Sequence, residues 1–206
     1  MKLYYSAGAC STSCHISLEE SGLKYEIISL DWDKPADVSL IRKLNPLETL
    51  PVLVLDSGKV LNQNIAIHSY IAEKAVEKNL FPKSGTEEHA EAMGWLSFVA
   101  ADLHKSFSIV FSAPYISNES RIHAEVRKFG VNGIDEYLKY FNDHLSGKDY
   151  ILGKSFSVID SYAFVVLGWA KFLEIPTKPY GNIEAYIARV AARPAVQKAL
   201  KIEGLI

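Results

Sequence analysis

Short apolar runs fill the first part of the chain, and helical spacing fills the rest. Lys2–Tyr5 is apolar and aromatic-rich, a predicted strand. Gly8 allows a tight turn where a Cβ would be strained. The segment carrying Ile16 and Leu18 stops at Gly22, a helix C-cap. Lys24–Leu30 alternates in part and predicts a second strand. Residues 31–45 are charged and irregular, with Pro35, and a short helix is expected over Asp37–Leu44. Leu50–Leu55 is a continuous apolar run, read as a buried strand with proline tolerated near its start. Asp56–Lys59 turns the chain into Val60-Leu61, the partner strand of a hairpin. After Asn62-Gln63-Asn64, the residues Ile65, Ile67, Tyr70 and Ile71 carry a helix to about Lys78, with Asn64 as its N-cap. The order is β-α-β-α-β-β-α, and its parallel first pair needs the crossover helix.

Residues 79–87 hold Pro, Gly and Ser between two helical patterns and read as a linker. The expected division is an α/β domain over 1–78 and an all-helical domain over 88–206. Met93, Leu96, Ala100, Leu103, Phe107 and Phe111 recur at helical spacing. A second long helix spans 119–145, with Val126, Phe129, Ile134, Leu138 and Phe141 as its apolar side. Ser155 to about Phe172 is a strongly apolar helix, central and buried all round. It opens on the capping-box pattern Ser157–Asp160, without a hydrophobic staple because Ser161 is polar. Two short helices, about 182–192 and 194–203, finish the chain.

Composition narrows the function classes. With 206 residues, 49% hydrophobic, the chain can bury a sizeable core. A net charge of −2 gives no electrostatic case for nucleic acid or an anionic membrane surface. No spanning helix and no secretory leader is expected, and two cysteines make no disulfide framework. Cys10 and Cys14, four apart, match neither the CxxC redox spacing nor a zinc pattern, so no metal is expected and a reducing cytoplasm fits best.

The chemistry centres on Cys10, which falls at or just before the first helix N-terminus. Unpaired N–H groups and the helix dipole there favour negative charge, which lowers a thiol pKa. The competing reading is a small buried hydrophobe. A small thiol bound nearby would feel the same field.

Seven segments in order carry a resemblance to the glutathione transferases, closest to the bacterial beta class. They are Lys2–Tyr5, Gly8–Ser11 with His15, Asn45-Pro46 before Leu50-Pro51-Val52, Leu103–Phe107, Phe156–Tyr162, Ala192–Val196 and the Glu203–Leu205 tail. The resemblance covers the whole chain. It implies a thioredoxin-like α/β N-terminal domain (βαβαββα) plus an all-α C-terminal domain, the glutathione transferase fold.

It also implies site residues. Pro51 would be cis, turning the Leu50 N–H and C=O out to pair with an extended tripeptide; a trans proline merely starting a strand is the alternative. Gln63 and Asn64 would hold the γ-glutamyl end at a helix N-terminus, or Asn64 would simply cap it. Asn64 departs from the family's usual Ser. Cys10 and the Ser11 hydroxyl would act at the glutathione sulfur, with Tyr5 a wall of the site. His104 would face the site as a polar group or proton partner, or be structural. Lys34 and Lys105 would supply positive charge to the glutathione carboxylates, or lie solvated. Phe107, Val110, Phe111 and Tyr115 would line an apolar pocket for the second substrate. His15 and Cys14 read as structural and buried.

The expected activity is a glutathione transferase that presents thiolate to a small electrophile, with glutathione as co-substrate and no cofactor. Lowering the thiol pKa by two to three units would require roughly 3–4 kcal/mol. Thiol–disulfide exchange through Cys10 is a second enzymatic reading. A non-catalytic ligand- or protein-binding protein is the third. The resemblance further implies a homodimer.

Overall fold

The computed structural model describes residues 1–206. Four strands, β1 (Lys2–Tyr5), β2 (Glu26–Ser29), β3 (Val52–Val54) and β4 (Val60–Asn62), form one sheet in the order β2-β1-β3-β4. β1 pairs parallel with β2, and the other neighbours are antiparallel. The period of two sends Leu3 and Leu53 to one face and Tyr4 and Val52 to the other. α1 (Ser11–Ser21) and α3 (Asn64–Lys74) cover the first face, where Leu18, Ile67 and Ile71 meet Leu3. α2 (Pro35–Leu44) covers the second through Ile41.

The helical part begins with α4 (Glu87–Phe98), passes through one π-helical turn at Val99–Leu103, and continues as α5 (His104–Ile116). α6 (Ser120–His144), α7 (Val158–Phe172), α8 (Gly181–Ala191) and α9 (Pro194–Ile202) come next. The main core joins both parts of the chain, since Ile16 and Ala72 belong to the same apolar cluster as Leu103, Phe107, Val166 and Tyr186. No helix is long and apolar enough to cross a membrane.

Several local expectations need correction. α2 starts at Pro35, two residues early, because proline suits the first helical position. α3 ends at Lys74, and Val76–Lys78 is a separate 3₁₀ turn. Gln63, not Asn64, holds the cap position of α3, and Asn64 is the first residue inside the helix. α7 starts at Val158 rather than Ser155. Phe129 does not belong to the buried side of α6: it is 70% exposed. Gly130 takes the inward position, where an added Cβ would lie 2.6 Å from the Val110 side chain.

α7 runs through the core and is held at its start by Asp160, which is fully buried. Its carboxylate accepts from the Ile151 and Ser157 N–H groups at 3.0 and 2.8 Å, and from the Ser157 and Tyr186 hydroxyls at 2.8 and 3.1 Å. Asp160→Ala would strand these buried donors, so unfolding free energy in urea should fall by about 3–5 kcal/mol. Asp160→Asn should lose less, because a carboxamide oxygen still accepts.

His68 on α3 is also fully buried, between Ser13 Oγ and Ser17 Oγ, each 3.0 Å from a ring nitrogen. Burial lowers its pKa to about 3. The unfolded chain takes up this proton near pH 6.5, so below that pH protons favour unfolding, with a slope approaching 1.4 kcal/mol per pH unit, about that of one full proton. Urea unfolding of wild type and His68→Gln at pH 7 and pH 5 should show the variant losing about 2 kcal/mol less on acidification.

Candidate active site

A cavity of about 560 Å³ opens between the sheet and the helical part. Cys10, Leu50, Pro51, Gln63 and Asn64 line it from one side, and Ala100, His104, Lys105, Ser108 and Tyr162 from the other. The first wall comes from three backbone devices. Cys10 occupies the N-cap position of α1, after the Gly8 turn at φ 74°. The Leu50–Pro51 bond is cis, as the resemblance implies. Asn45 shapes the loop ahead of it, donating from Nδ2 to the Thr49 carbonyl at 2.8 Å and accepting the Leu47 N–H at 3.2 Å. The Leu50 N–H finds no partner within the chain, and the Leu50 carbonyl accepts the Cys10 thiol at 3.4 Å. Gln63 has φ 74°, a sparsely populated conformation for a residue with a Cβ. It aims the open N-terminus of α3 at the cavity, where free N–H groups suit an anion.

The Cys10 thiol departs from the helix-terminus expectation. Burial pushes its pKa up, and this outweighs the Asn64 side chain and the N–H groups of Cys10 and Ser11, which pull it down. Cys14 is fully buried and burial raises it further. In the free protein both sulfurs are thiols.

His104 opens α5 directly after the π turn, a local irregularity common at functional sites. Its Nδ1 lies 2.6 Å from the Tyr162 hydroxyl, and its ring meets Trp169 edge-on at 4.8 Å. Burial, aided by the Lys105 charge, lowers its pKa to about 4, so the imidazole is neutral at pH 7. No three His, Cys, Asp or Glu side chains gather to hold a metal ion.

Other expected residues lie elsewhere. The Ser11 hydroxyl does not reach the cavity: it is fully buried and bonds Ser6, donating to its carbonyl at 3.2 Å and accepting its N–H at 3.1 Å. Tyr5 is no wall of the site, because its ring packs inward beside His15, 6.1 Å between centroids. Lys34 stands exposed outside the lining with Nζ 3.1 Å from Asp31. Phe107 and Val110 point into the core, and Phe111 packs on Trp169 and Phe172. Tyr115, 89% exposed, stands near the end of α5. None of these four lines the cavity.

Thr49, Ile65, Ala100, Ser108 and Tyr162 also line the cavity, and sequence reasoning misses them. The sequence pattern places Tyr162 only in a capping motif, although a tyrosine inside an apolar helix needs a partner for its hydroxyl. Glu203 has a larger part than its place in the tail suggests. Its fully buried carboxylate accepts the Thr12 hydroxyl at 2.7 Å and lies 2.8 Å from His15 Nδ1. Trp169 Nε1–H donates to the Gly8 carbonyl at 2.9 Å. These contacts fix the turn that carries Cys10.

Comparison with known proteins agrees with this architecture. Residues 7–74 match the family described as glutathione S-transferase, N-terminal domain, and residues 101–203 the glutathione S-transferase, C-terminal domain. Glutathione S-transferase GstA of Escherichia coli O157:H7 is 32% identical over the full length of both chains. Glutathione S-transferase GST-4.5 of Xanthomonas campestris is 34% identical, again over both full lengths. Among solved structures, a bacterial transferase, BphK, in a ternary complex superposes with a TM-score of 0.91 at 36% identity, covering 99% of this chain and 100% of its own. A Sphingomonas chungbukensis enzyme described as bacterial beta class gives 0.90 at 34% identity, with 100% of both chains covered. The chain belongs to the glutathione S-transferase family.

Proposed function

We propose that this glutathione transferase holds glutathione along the Cys10 wall of the cavity and conjugates its sulfur to small electrophilic, apolar substrates. One observation carries the reading: a free Leu50 N–H, the open N-terminus of α3 and the Cys10 thiol border a single cavity, with His104 opposite. An extended peptide can pair its backbone with Leu50 beside Pro51. Its γ-glutamyl carboxylate then meets Gln63, Asn64 and the α3 amides, with Lys105 adding positive charge. A sphingomonad transferase that superposes with a TM-score of 0.90 at 34% identity was solved with glutathione bound.

In this arrangement the glutathione sulfur lies by Cys10 under the His104 ring. Hydrogen-bond donors already aimed at the sulfur stabilise its thiolate without the reorganisation that bulk solvent requires. The thiolate attacks the electrophilic carbon, a C–S bond forms and the leaving group departs. Ala100, Ser108 and Tyr162, rather than the Phe107 face, form the helical wall against which that second substrate rests.

A second activity is favoured by the placement of Cys10 on the cavity surface. Cys10 loses its proton to solvent and attacks the glutathione sulfur of a glutathionylated thiol, releasing the substrate thiolate and leaving Cys10 in a mixed disulfide. A glutathione thiolate then attacks that sulfur, giving oxidised glutathione and free Cys10. Cys10→Ser should lower disulfide exchange more than about 100-fold while conjugation stays within about tenfold. Parallel assays with a glutathionylated peptide and an electrophilic aromatic measure both. Loss of both activities alike would place Cys10 at the conjugation step as well.

The enzyme acts as a homodimer in the cytoplasm in this reading. Exposed Phe129 borders a second cavity of about 510 Å³ between α5 and α6, a face a second copy could cover. Sedimentation equilibrium should give the mass of two chains, and Phe129→Lys should shift it toward one.

A further inference from the structure

The helical wall of the cavity carries a hydroxyl to which the conjugation chemistry gives no role. Tyr162 is 2% exposed and sits one turn inside α7. Its oxygen meets His104 Nδ1 at 2.6 Å. Asn64 and Cys10 border the same cavity.

The direction of the Asn64 amide is set by its neighbours. Its Oδ1 accepts the Cys14 thiol at 3.2 Å and lies 3.1 Å from Ser13 Oγ. The nitrogen end is therefore the one turned away from Ser13 and Cys14. The Tyr162 hydroxyl is buried and has no other partner within the chain, so a proton aimed anywhere but at Nδ1 would be left without an acceptor. The one Tyr162 proton is left for His104 Nδ1. An imidazole that accepts at Nδ1 carries its proton on Nε2. His104 Nε2 has no partner within the chain and is not sealed from solvent, and His104 borders the cavity.

We propose that Tyr162 is a positioning residue: by donating its hydroxyl to Nδ1 it holds His104 in the Nε2–H tautomer, so that His104 offers a donor, not a base, to the sulfur. Tyr162 is fixed in the buried stretch of α7, and it in turn orients His104. The Asn64 amide and the His104 Nε2–H both turn toward the cavity that holds Cys10. The ionisation states agree with this geometry. His104 is neutral at pH 7, and burial raises Tyr162 above the ordinary phenol range, so it keeps its proton. The ionisable groups facing His104 are Cys10 on α1, Tyr162 on α7 and its own neighbour Lys105.

The inference rests on the glutathione reading for its consequence, but the tautomer is a property of the free enzyme. Nitrogen NMR of histidine-labelled enzyme without glutathione reads it directly, with His104→Gln identifying the resonance. The expected spectrum at pH 7 is a neutral Nε2–H ring in wild type and a mixture of tautomers in Tyr162→Phe. The thiol pKa of bound glutathione, followed by thiolate absorbance, should rise by about one unit in Tyr162→Phe. In the same variant kcat should fall about tenfold with KM for glutathione within about twofold. An Nδ1–H ring in wild type overturns the proposal, as does a bound-thiol pKa that Tyr162→Phe leaves unchanged. If Tyr162→Phe does not fold, the wild-type tautomer decides alone. Failure of wild type to bind glutathione in a titration would instead overturn the functional reading, whatever the tautomer.

Discussion

Helix α1 has almost no solvent side, and that constraint shapes the elements packed around it. Every residue from Ser11 to Leu18 is buried. Leu18 and Cys14 face the sheet, while Ile16 joins the helical core. Yet most of the sequence between is polar, so each buried group needs a partner from another element. Ser17 donates to Ser161 on α7 at 2.9 Å and lies 3.0 Å from His68 on α3. Thr12 and His15 share the Glu203 carboxylate beyond α9. Apolar packing alone would tolerate many small rotations of this helix. Directional bonds inside a low-dielectric core tolerate few, because each broken one leaves an unpaired buried group. The helix that carries Cys10 at its start is therefore held from three sides.

The same burial decides the chemistry of the ligand-free site. A helix N-terminus stabilises an anion by fractions of a kcal/mol up to about 2, whereas deep burial of a charge can move a pKa by several units. For Cys10 the second effect wins, and for His104 it works in the same sense by removing the positive form. Cys10 and His104 are thus both neutral in the free protein, with Lys105 the cation beside them. In the proposed reading negative charge enters with the ligand, whose carboxylate and sulfur meet donors already in place. The φ of 74° at Gln63 fits this picture, since a strained backbone at the mouth of α3 keeps its amides pointed at the cavity rather than capped by the chain itself.

The sheet is legible in the sequence because alternation and turn residues act locally. Gly22 ends α1 in the left-handed conformation, and Ser157 with Asp160 starts α7. Cys10, Leu50, Gln63, Asn64, His104 and Lys105 are legible because backbone position largely puts them at the cavity. Ser11, Tyr5 and Lys34 are not, because their side-chain directions depend on Ser6, His15 and Asp31. The apolar pocket escapes the sequence for another reason. Leu96, Val99, Leu103, Phe107 and Val110 recur at ordinary helical spacing across the π turn, and the apolar stripe they form faces the core rather than the cavity. Ala100, His104 and Ser108 then share the cavity face, while Leu103, Phe107 and Val110 turn to the core.

The helical wall carries polar groups because it is the face beside the apolar stripe. A cavity lined only by Phe and Val would offer no hydrogen bond to a sulfur anion. His104 on that face lies within reach of Tyr162, which α7 supplies from deep in the core. α7 is positioned by Asp160 at its start and by Trp169, whose indole N–H bonds the Gly8 carbonyl. The reactive turn and the polar wall are thus referred to the same helix. The two walls reach their working distance only where α7 and the Glu203 tail are docked. The site is a product of the packing between the two parts of the chain, and neither part contains it alone.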